Sequence, residues 1–340
     1  MIVRTADGIR VGITGIGGYV PERVLGSEEI ARAIGTSADW IHERTGIRER
    51  HLAASGQAAS DLAVPAAREA LTDAGADPAS VELVIVATVS PDTLFPATAA
   101  LVAAEIGAVD AAAYDLSAAC TGFVYALAQA HAAVAAGLAR RVLVIGSEVL
   151  SRFTNWEDRS TAVLFGDGAG AAVIEPVTGG GFLGFELGCD GTRASQLELP
   201  AGGSRLPASA ATVNGGLHTI RMAGQEVFRF STRAITDSVE RLLRACGLTI
   251  RDVDLFVPHQ ANGRIVEYIA RRLGFPQDRV LMNIDRVGNT SAASIPLLLA
   301  DAKAGGALEP GATVLLCAAG AGMTWGSALL RWEGGGGGYP

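Results

Sequence analysis

The chain has 340 residues, 49% of them hydrophobic and 18% charged, which is enough apolar material for a large buried core in one big domain or two fused ones. A formal net charge of -8 argues against nucleic acid as the main partner, because binding phosphate needs a basic face. With 43 glycines, abundant alanine and only 6% aromatic residues, helices should pack closely and many turns should be tight.

Residues 1–10 alternate charged and apolar side chains and carry no apolar core of a signal peptide. The first clear pair of elements follows further on. Glu69-Ala-Leu-Thr-Asp-Ala-Gly75 reads as the end of an amphipathic helix closed by a C-cap glycine, and the apolar run over residues 81–88 reads as a buried strand. Then comes Tyr114-Asp-Leu-Ser-Ala-Ala-Cys120, an alanine-rich helix over residues 121–136, and a strand over residues 141–146.

The second part of the chain echoes the first. Glu240-Arg-Leu-Leu-Arg-Ala-Cys-Gly247 is again a helix end with its glycine, and residues 253–258 are again a strand. The turn Asn283-Ile-Asp-Arg-Val-Gly-Asn289 leads into a helical stretch over residues 290–304, and a strand over residues 313–317 closes the unit. Alternating helices and near-continuous apolar strands imply buried, mostly parallel sheets. The expected organisation is two related α/β halves, 1–175 and 176–333, and a flexible tail at 334–340. Cys120 and Asn289 then occupy near-equivalent strand-to-helix turns. No run spans a bilayer: residues 313–325 lack charge but are too short and too glycine-rich. The four cysteines are far apart and form no metal-like pair, so they read as reduced thiols in a cytoplasmic protein.

Three positions carry candidate chemistry. Cys120 begins an apolar helix, where unpaired N–H groups and the helix dipole stabilise thiolate. An inert buried thiol is the bland alternative, and it is kept for Cys189, Cys246 and Cys317. His259 follows a buried strand directly, at the sheet edge where α/β proteins place their sites. Asn289 is equally suited to capping the helix after it, and becomes functional only in company with the other two.

Ser117-Ala-Ala-Cys-Thr-Gly-Phe123, Val257-Pro-His-Gln-Ala-Asn262 and Gly288-Asn-Thr-Ser-Ala-Ala-Ser294 together resemble the active-site motifs of the β-ketoacyl-acyl carrier protein synthase III family, in that family's order. Asp39-Trp-Ile41, Arg44-Thr-Gly-Ile-Arg-Glu-Arg50, Phe165-Gly-Asp-Gly-Ala-Gly170 and Thr324-Trp-Gly-Ser327 extend the resemblance over residues 11–333. It implies a thiolase-like duplicated layered αβαβα fold and a homodimer. It also implies an acyltransferase that condenses an acyl-CoA primer with malonyl-acyl carrier protein to initiate fatty acid synthesis, with Cys120, His259 and Asn289 as catalytic residues. The backbone N–H groups of Cys120 and Gly322 would hold the acyl oxyanion. Trp40, Arg44 and Arg159 would bind CoA, and Arg229, Arg264, Arg271 and Arg272 would face the carrier protein. No metal or redox cofactor is called for. The chain departs from the family pattern in its acyl pocket. Ala319 and Met323 replace bulkier residues and should widen the cavity, whereas Phe95, reaching in from a partner subunit, should shorten it. A short-to-medium or branched primer is expected. Two other readings share these motifs in part: a starter-unit ketosynthase or acyltransferase of polyketide or other specialised biosynthesis, and a non-catalytic thiolase-fold partner, against which the retained nucleophile argues.

Overall fold

The computed structural model describes residues 1–5 and 8–334. Apart from Gly334, the tail expected at 334–340 lies outside the described residues. Ten strands form the core: β1 (Ile2–Arg4), β2 (Val11–Tyr19), β3 (Leu83–Ala87), β4 (Ala112–Leu116), β5 (Val142–Val149), β6 (Asp167–Pro176), β7 (Gly181–Cys189), β8 (Leu255–Pro258), β9 (Thr313–Gly320) and β10 (Thr324–Arg331). They make two five-stranded sheets, in the orders β2-β6-β5-β3-β4 and β1-β7-β10-β9-β8.

The echo in the sequence is an echo in pairing. In the first sheet β3 runs parallel to β5, and β5–β6 and β6–β2 are antiparallel. In the second, β8 runs parallel to β9, and β9–β10 and β10–β7 are antiparallel. The parallel neighbour β4 has only a single bridge, Phe256 to Val280, as its counterpart. The sheets are therefore mixed, which corrects the expectation of mostly parallel ones. Apolar runs arise wherever helices cover both faces of a sheet, whatever the strand direction. The passage from first sheet to second falls between Pro176 and Gly181, but β1, from the start of the chain, joins the second sheet against β7.

Four long helices sort by their patterning. α1 (Ala59–Ala74) covers the outer face of the first sheet and α3 (Gly224–Cys246) that of the second, while α2 (Gly122–Ala135) and α4 (Ser294–Ala304) fill the space between the sheets. α3 is amphipathic, burying Ile235, Val239, Leu242 and Leu243 at helical spacing. α2 buries Gly122, Phe123, Val124, Ala126, Leu127, Ala130, Ala133 and Val134, a stripe wider than that of a surface helix, as befits a helix between two sheets. α1 and α3 each end on a left-handed glycine, Gly75 at φ 63° and Gly247 at φ 70°. The result is five layers, αβαβα, and the two inner helices begin where the chain leaves β4 and passes the end of β8. Among the described residues no helix is long and apolar enough to cross a membrane.

Candidate active site

Cys120 lies in a short 3-10 turn, Ala119–Thr121, between β4 and α2. Its counterpart is the turn Ser291–Ala293, which enters α4, and the two turns pack on each other. In both, the first residue is left-handed: Ala119 and Ser291 each have φ 48°. Such a conformation in a residue with a Cβ costs on the order of 1–3 kcal/mol and persists only where packing imposes it. The packing is close. A Cβ at Gly146 of β5 would lie 2.2 Å from the Ala292 carbonyl oxygen, and one at Gly320 would lie 2.7 Å from the Cys120 nitrogen. Superimposing the left-handed residues pairs Cys120 with Ala292 and Asn289 with Ser117. The turns are equivalent as expected, and the two functional residues sit at different positions within them.

His259 emerges from β8 with its N–H donating to the Cys317 carbonyl of β9 at 2.7 Å. Its Nδ1 is 2.6 Å from Ser294 Oγ, at the first residue of α4, and its Nε2 is buried without a partner. Asn289 is pinned by its backbone, its N–H to the Leu164 carbonyl at 2.9 Å and its carbonyl from Gly166 N–H at 3.0 Å. Its side-chain amide has a defined orientation. Oδ1 accepts from Ser291 N–H at 2.9 Å, and Nδ2 donates to the Ala261 carbonyl at 3.3 Å, leaving Nδ2 a second hydrogen. The amide thus joins the loop after His259 to the turn that packs on Cys120.

Burial governs the electrostatics. Loss of solvent pushes the His259 imidazole down to about 3, so the ring is neutral at physiological pH. The same effect pushes the Cys120 thiol up to about 12; the Ser291 hydroxyl beside it and its own backbone N–H pull down, and the Glu148 carboxylate pushes further up. The expected stabilised thiolate is therefore corrected to a resting thiol, because desolvation outweighs the helix N-terminus. Glu148, at the end of β5, is itself raised to about 7 by burial, against hydrogen bonds from Ser90 Oγ at 2.6 Å and Val89 N–H at 3.1 Å.

An apolar cavity of about 210 Å³ opens at Cys120, lined by Val89, Ala119, Leu150, Phe153, Phe165, Leu197, Glu198, Leu199, Ile220, Ser291 and Ala321. The residues expected to shape it lie elsewhere in the protomer. Ala319 alternates to the other face of β9 and packs in the outer cluster beneath α3 with Ile235, Phe256 and Leu329. Met323 is fully buried and pairs through its backbone with Asp190. Phe95 is 86% exposed. The idea that Ala319 widens the cavity is corrected accordingly: Ala321, two residues on, is the alanine that lines it. The loop carrying Gly322 is held near Cys120 by Thr324, whose Oγ1 is 2.8 Å from Thr121 Oγ1 and donates to the Ala321 carbonyl at 3.1 Å.

The three expected CoA residues are brought together. Trp40 is half-buried on the helix Ala38–Thr45, and the guanidinium groups of Arg159 and Arg44 lie 4.6 and 5.7 Å from its ring centre. Asn262 Nδ2 donates to the Arg44 carbonyl at 3.1 Å, which ties this cluster to the loop after His259. Arg264, Arg271 and Arg272 are exposed on the helix Gly263–Leu273. Arg229, on α3, follows Phe228, whose ring meets Tyr268 of that helix, and it pairs with Glu226 at 3.0 Å.

Sequence reasoning missed Ser291, Ser294 and Glu148. The two serines stand inside a motif that was read for its asparagine, and only the fold brings them to Cys120 and His259. Glu148 did leave a signal, an acid directly continuing a buried apolar strand.

A duplicated αβαβα fold with a cysteine at one inner-helix turn, and histidine and asparagine at the matching end of the other half, defines the thiolase-like condensing enzymes. Sequence profiles narrow this: 3-oxoacyl-[acyl-carrier-protein] synthase III matches residues 114–191, and its C-terminal part matches residues 243–332. The β-ketoacyl-[acyl-carrier-protein] synthase III of Symbiobacterium thermophilum is 51% identical over 323 residues, covering 95% of this chain and 98% of its own. That of Caldanaerobacter subterraneus subsp. tengcongensis is 49% identical over 326 residues, covering 96% and 98%. The crystal structure of the Thermus thermophilus synthase III superimposes with a TM-score of 0.89 at 48% identity, over 95% of this chain and 99% of that one. This chain belongs to the β-ketoacyl-acyl carrier protein synthase III family of acyltransferases.

Proposed function

We propose that this enzyme initiates fatty acid synthesis by condensing an acyl-CoA primer with malonyl-acyl carrier protein, with Cys120 as nucleophile and His259 and Asn289 as hydrogen-bond donors. First, Cys120 Sγ attacks the acyl-CoA carbonyl and the C–S bond to CoA breaks. The acyl group stays on Cys120 and the thiol's proton departs with CoA. Next, the malonyl thioester loses CO2 and the electron pair of the broken C–C bond passes into an enolate. The enolate carbon attacks the acyl-Cys120 carbonyl, and collapse expels Cys120, which takes one proton from solvent. The observation that carries the assignment is His259: a neutral ring, fixed at Nδ1, whose Nε2 is buried without a partner. A donor held so in a water-poor site is worth most where charge develops, here on the thioester oxygen, and losing one typically costs about 10²–10³ in rate. Asn289 Nδ2 supplies the second donor. The N–H groups of Cys120 and Gly322 serve the acyl oxyanion, a role the close packing of Gly320 on Cys120 supports. These steps are acyl transfer, decarboxylation and carbon–carbon bond formation, none of which exchanges electrons with an outside partner. The charge that develops is met by hydrogen-bond donors. The proposal therefore calls for no metal or redox cofactor, and acyl-CoA is a substrate.

The surroundings fit this chemistry. Trp40 with Arg44 and Arg159 offers a stacking surface and two cations to CoA, and Arg264, Arg271 and Arg272 with Arg229 offer a basic face to an acidic carrier protein. The exposed edge strand β4, with Tyr114 and the nearly bare Leu94 and Phe95, supports a homodimer in which Phe95 closes the partner's acyl cavity. The small apolar cavity supports a short-to-medium or branched primer. Four unpaired cysteines agree with a cytoplasmic location. Intact-mass analysis after exposure to a panel of acyl-CoAs tests the core of the proposal. One acyl mass should appear on Cys120 and be absent from Cys120→Ala. An acyl group mapped to Cys189, Cys246 or Cys317 refutes it.

A further inference from the structure

The proposed reaction uses His259 Nε2 as a donor, and a neutral imidazole has one N–H to place. Which nitrogen carries it is set by what the other nitrogen bonds. The other here is Nδ1, 2.6 Å from Ser294 Oγ. Among the described residues that oxygen has one further hydrogen bond, from Gln260 N–H at 3.4 Å, in which the backbone is the donor. Ser294 is fully buried.

A serine hydroxyl has one proton to give. If Nδ1 carried the imidazole proton, Oγ would receive two donors while its own hydrogen stayed buried without an acceptor. If Oγ–H donates to Nδ1, both atoms of that contact are matched and the imidazole proton sits on Nε2, which has no partner in either arrangement. The first arrangement leaves the serine hydrogen unmatched in addition to Nε2, which disfavours it by roughly 10- to 100-fold. We propose that Ser294 is a positioning residue of the decarboxylation step. Through Nδ1 it holds His259 in the Nε2–H tautomer and fixes the ring so that this N–H faces the malonyl thioester. In that tautomer Nε2 cannot accept the Cys120 proton, so Ser294 matters to the malonyl half-reaction and not to acylation. The inference rests on His259 acting as donor to the malonyl thioester.

Two variants and one spectrum test it. In the wild-type enzyme with isotope-labelled histidine, nitrogen NMR should show His259 protonated at Nε2 and bare at Nδ1. Ser294→Ala should lose this pattern and slow CO2 release from malonyl-carrier protein by roughly 10- to 100-fold, through kcat rather than KM, with acylation of Cys120 preserved. Ser294→Thr, which keeps the hydroxyl, should restore most of the rate. A wild-type His259 protonated at Nδ1 overturns the proposal whatever the variants do, and so does unchanged CO2 release in Ser294→Ala or an equal loss of both half-reactions. His259→Ala, measured alongside, keeps the two ideas apart: if it releases CO2 at the wild-type rate, the donor role of His259 fails, irrespective of the tautomer in the spectrum.

Discussion

The Cys120 thiol stands at the N-terminus of an apolar helix, where N–H groups favour thiolate, and in an apolar cavity that favours the thiol. Burial prevails, and the group is pushed up to about 12. Thiolate is the reactive form, and below that value its fraction rises tenfold with each pH unit. Alkylation of Cys120 by a small reagent should therefore accelerate steadily from pH 6 to pH 9. A plateau reached below pH 8 would show a stabilised thiolate and contradict this electrostatic account. The sequence pointed to Cys120, His259 and Asn289 because each sits at a strand end or a turn, positions readable from local pattern. It did not disclose the sign of the thiol's shift, which depends on how completely distant residues such as Phe165 and Leu197 exclude water.

At the scale of elements, helix ends, inner helices and the strands around Val84, Leu143, Phe256 and Leu315 were legible because apolar periodicity is local. Strand direction was not, since a strand buried on both faces reads the same whether its neighbour is parallel or antiparallel. The glycine-rich strands β6 and β7 also gave little signal, although Gly170 must be bare to let α4 approach: a Cβ there would lie 2.7 Å from Pro296 Cβ. Close approach also predicts function. In Gly320→Ala the new Cβ would meet the Cys120 nitrogen at 2.7 Å and displace the nucleophile's turn. Misplacing a reacting group by about 1 Å costs about 10²-fold, so acylation of Cys120 should fall by about that factor. Gly26→Ala is the control, with nothing within 4 Å of its added Cβ. Equal acylation rates for the two folded variants would show that the Gly320 contact is slack.

For the whole molecule, Phe95 is 86% exposed and, with Leu94 beside it, is an apolar group available to a second copy. Each methylene accommodated in an apolar pocket is worth about 0.8 kcal/mol, close to fourfold in specificity. If the partner's Phe95 forms the end wall, Phe95→Thr should move the kcat/KM optimum to longer acyl-CoAs while the dimer persists in sedimentation. An unmoved chain-length profile would return Phe95 to ordinary surface packing. Ala319→Phe should leave that profile unchanged, because Ala319 faces the outer layer beneath α3. The sequence could not separate Ala319 from Ala321, since the face each presents depends on where β9 ends.

The division of labour between the two half-reactions is the central claim, and Asn289→Ala tests it most directly. Asn289 shares no hydrogen bond with Cys120 and joins the site through Ser291 and Ala261. CO2 release from malonyl-carrier protein and acylation of Cys120 would be measured on the same folded preparation. Acylation should proceed near the wild-type rate while CO2 release falls by about 10² or more. CO2 release at the wild-type rate would contradict the account and leave Asn289 as a cap for the turn into α4.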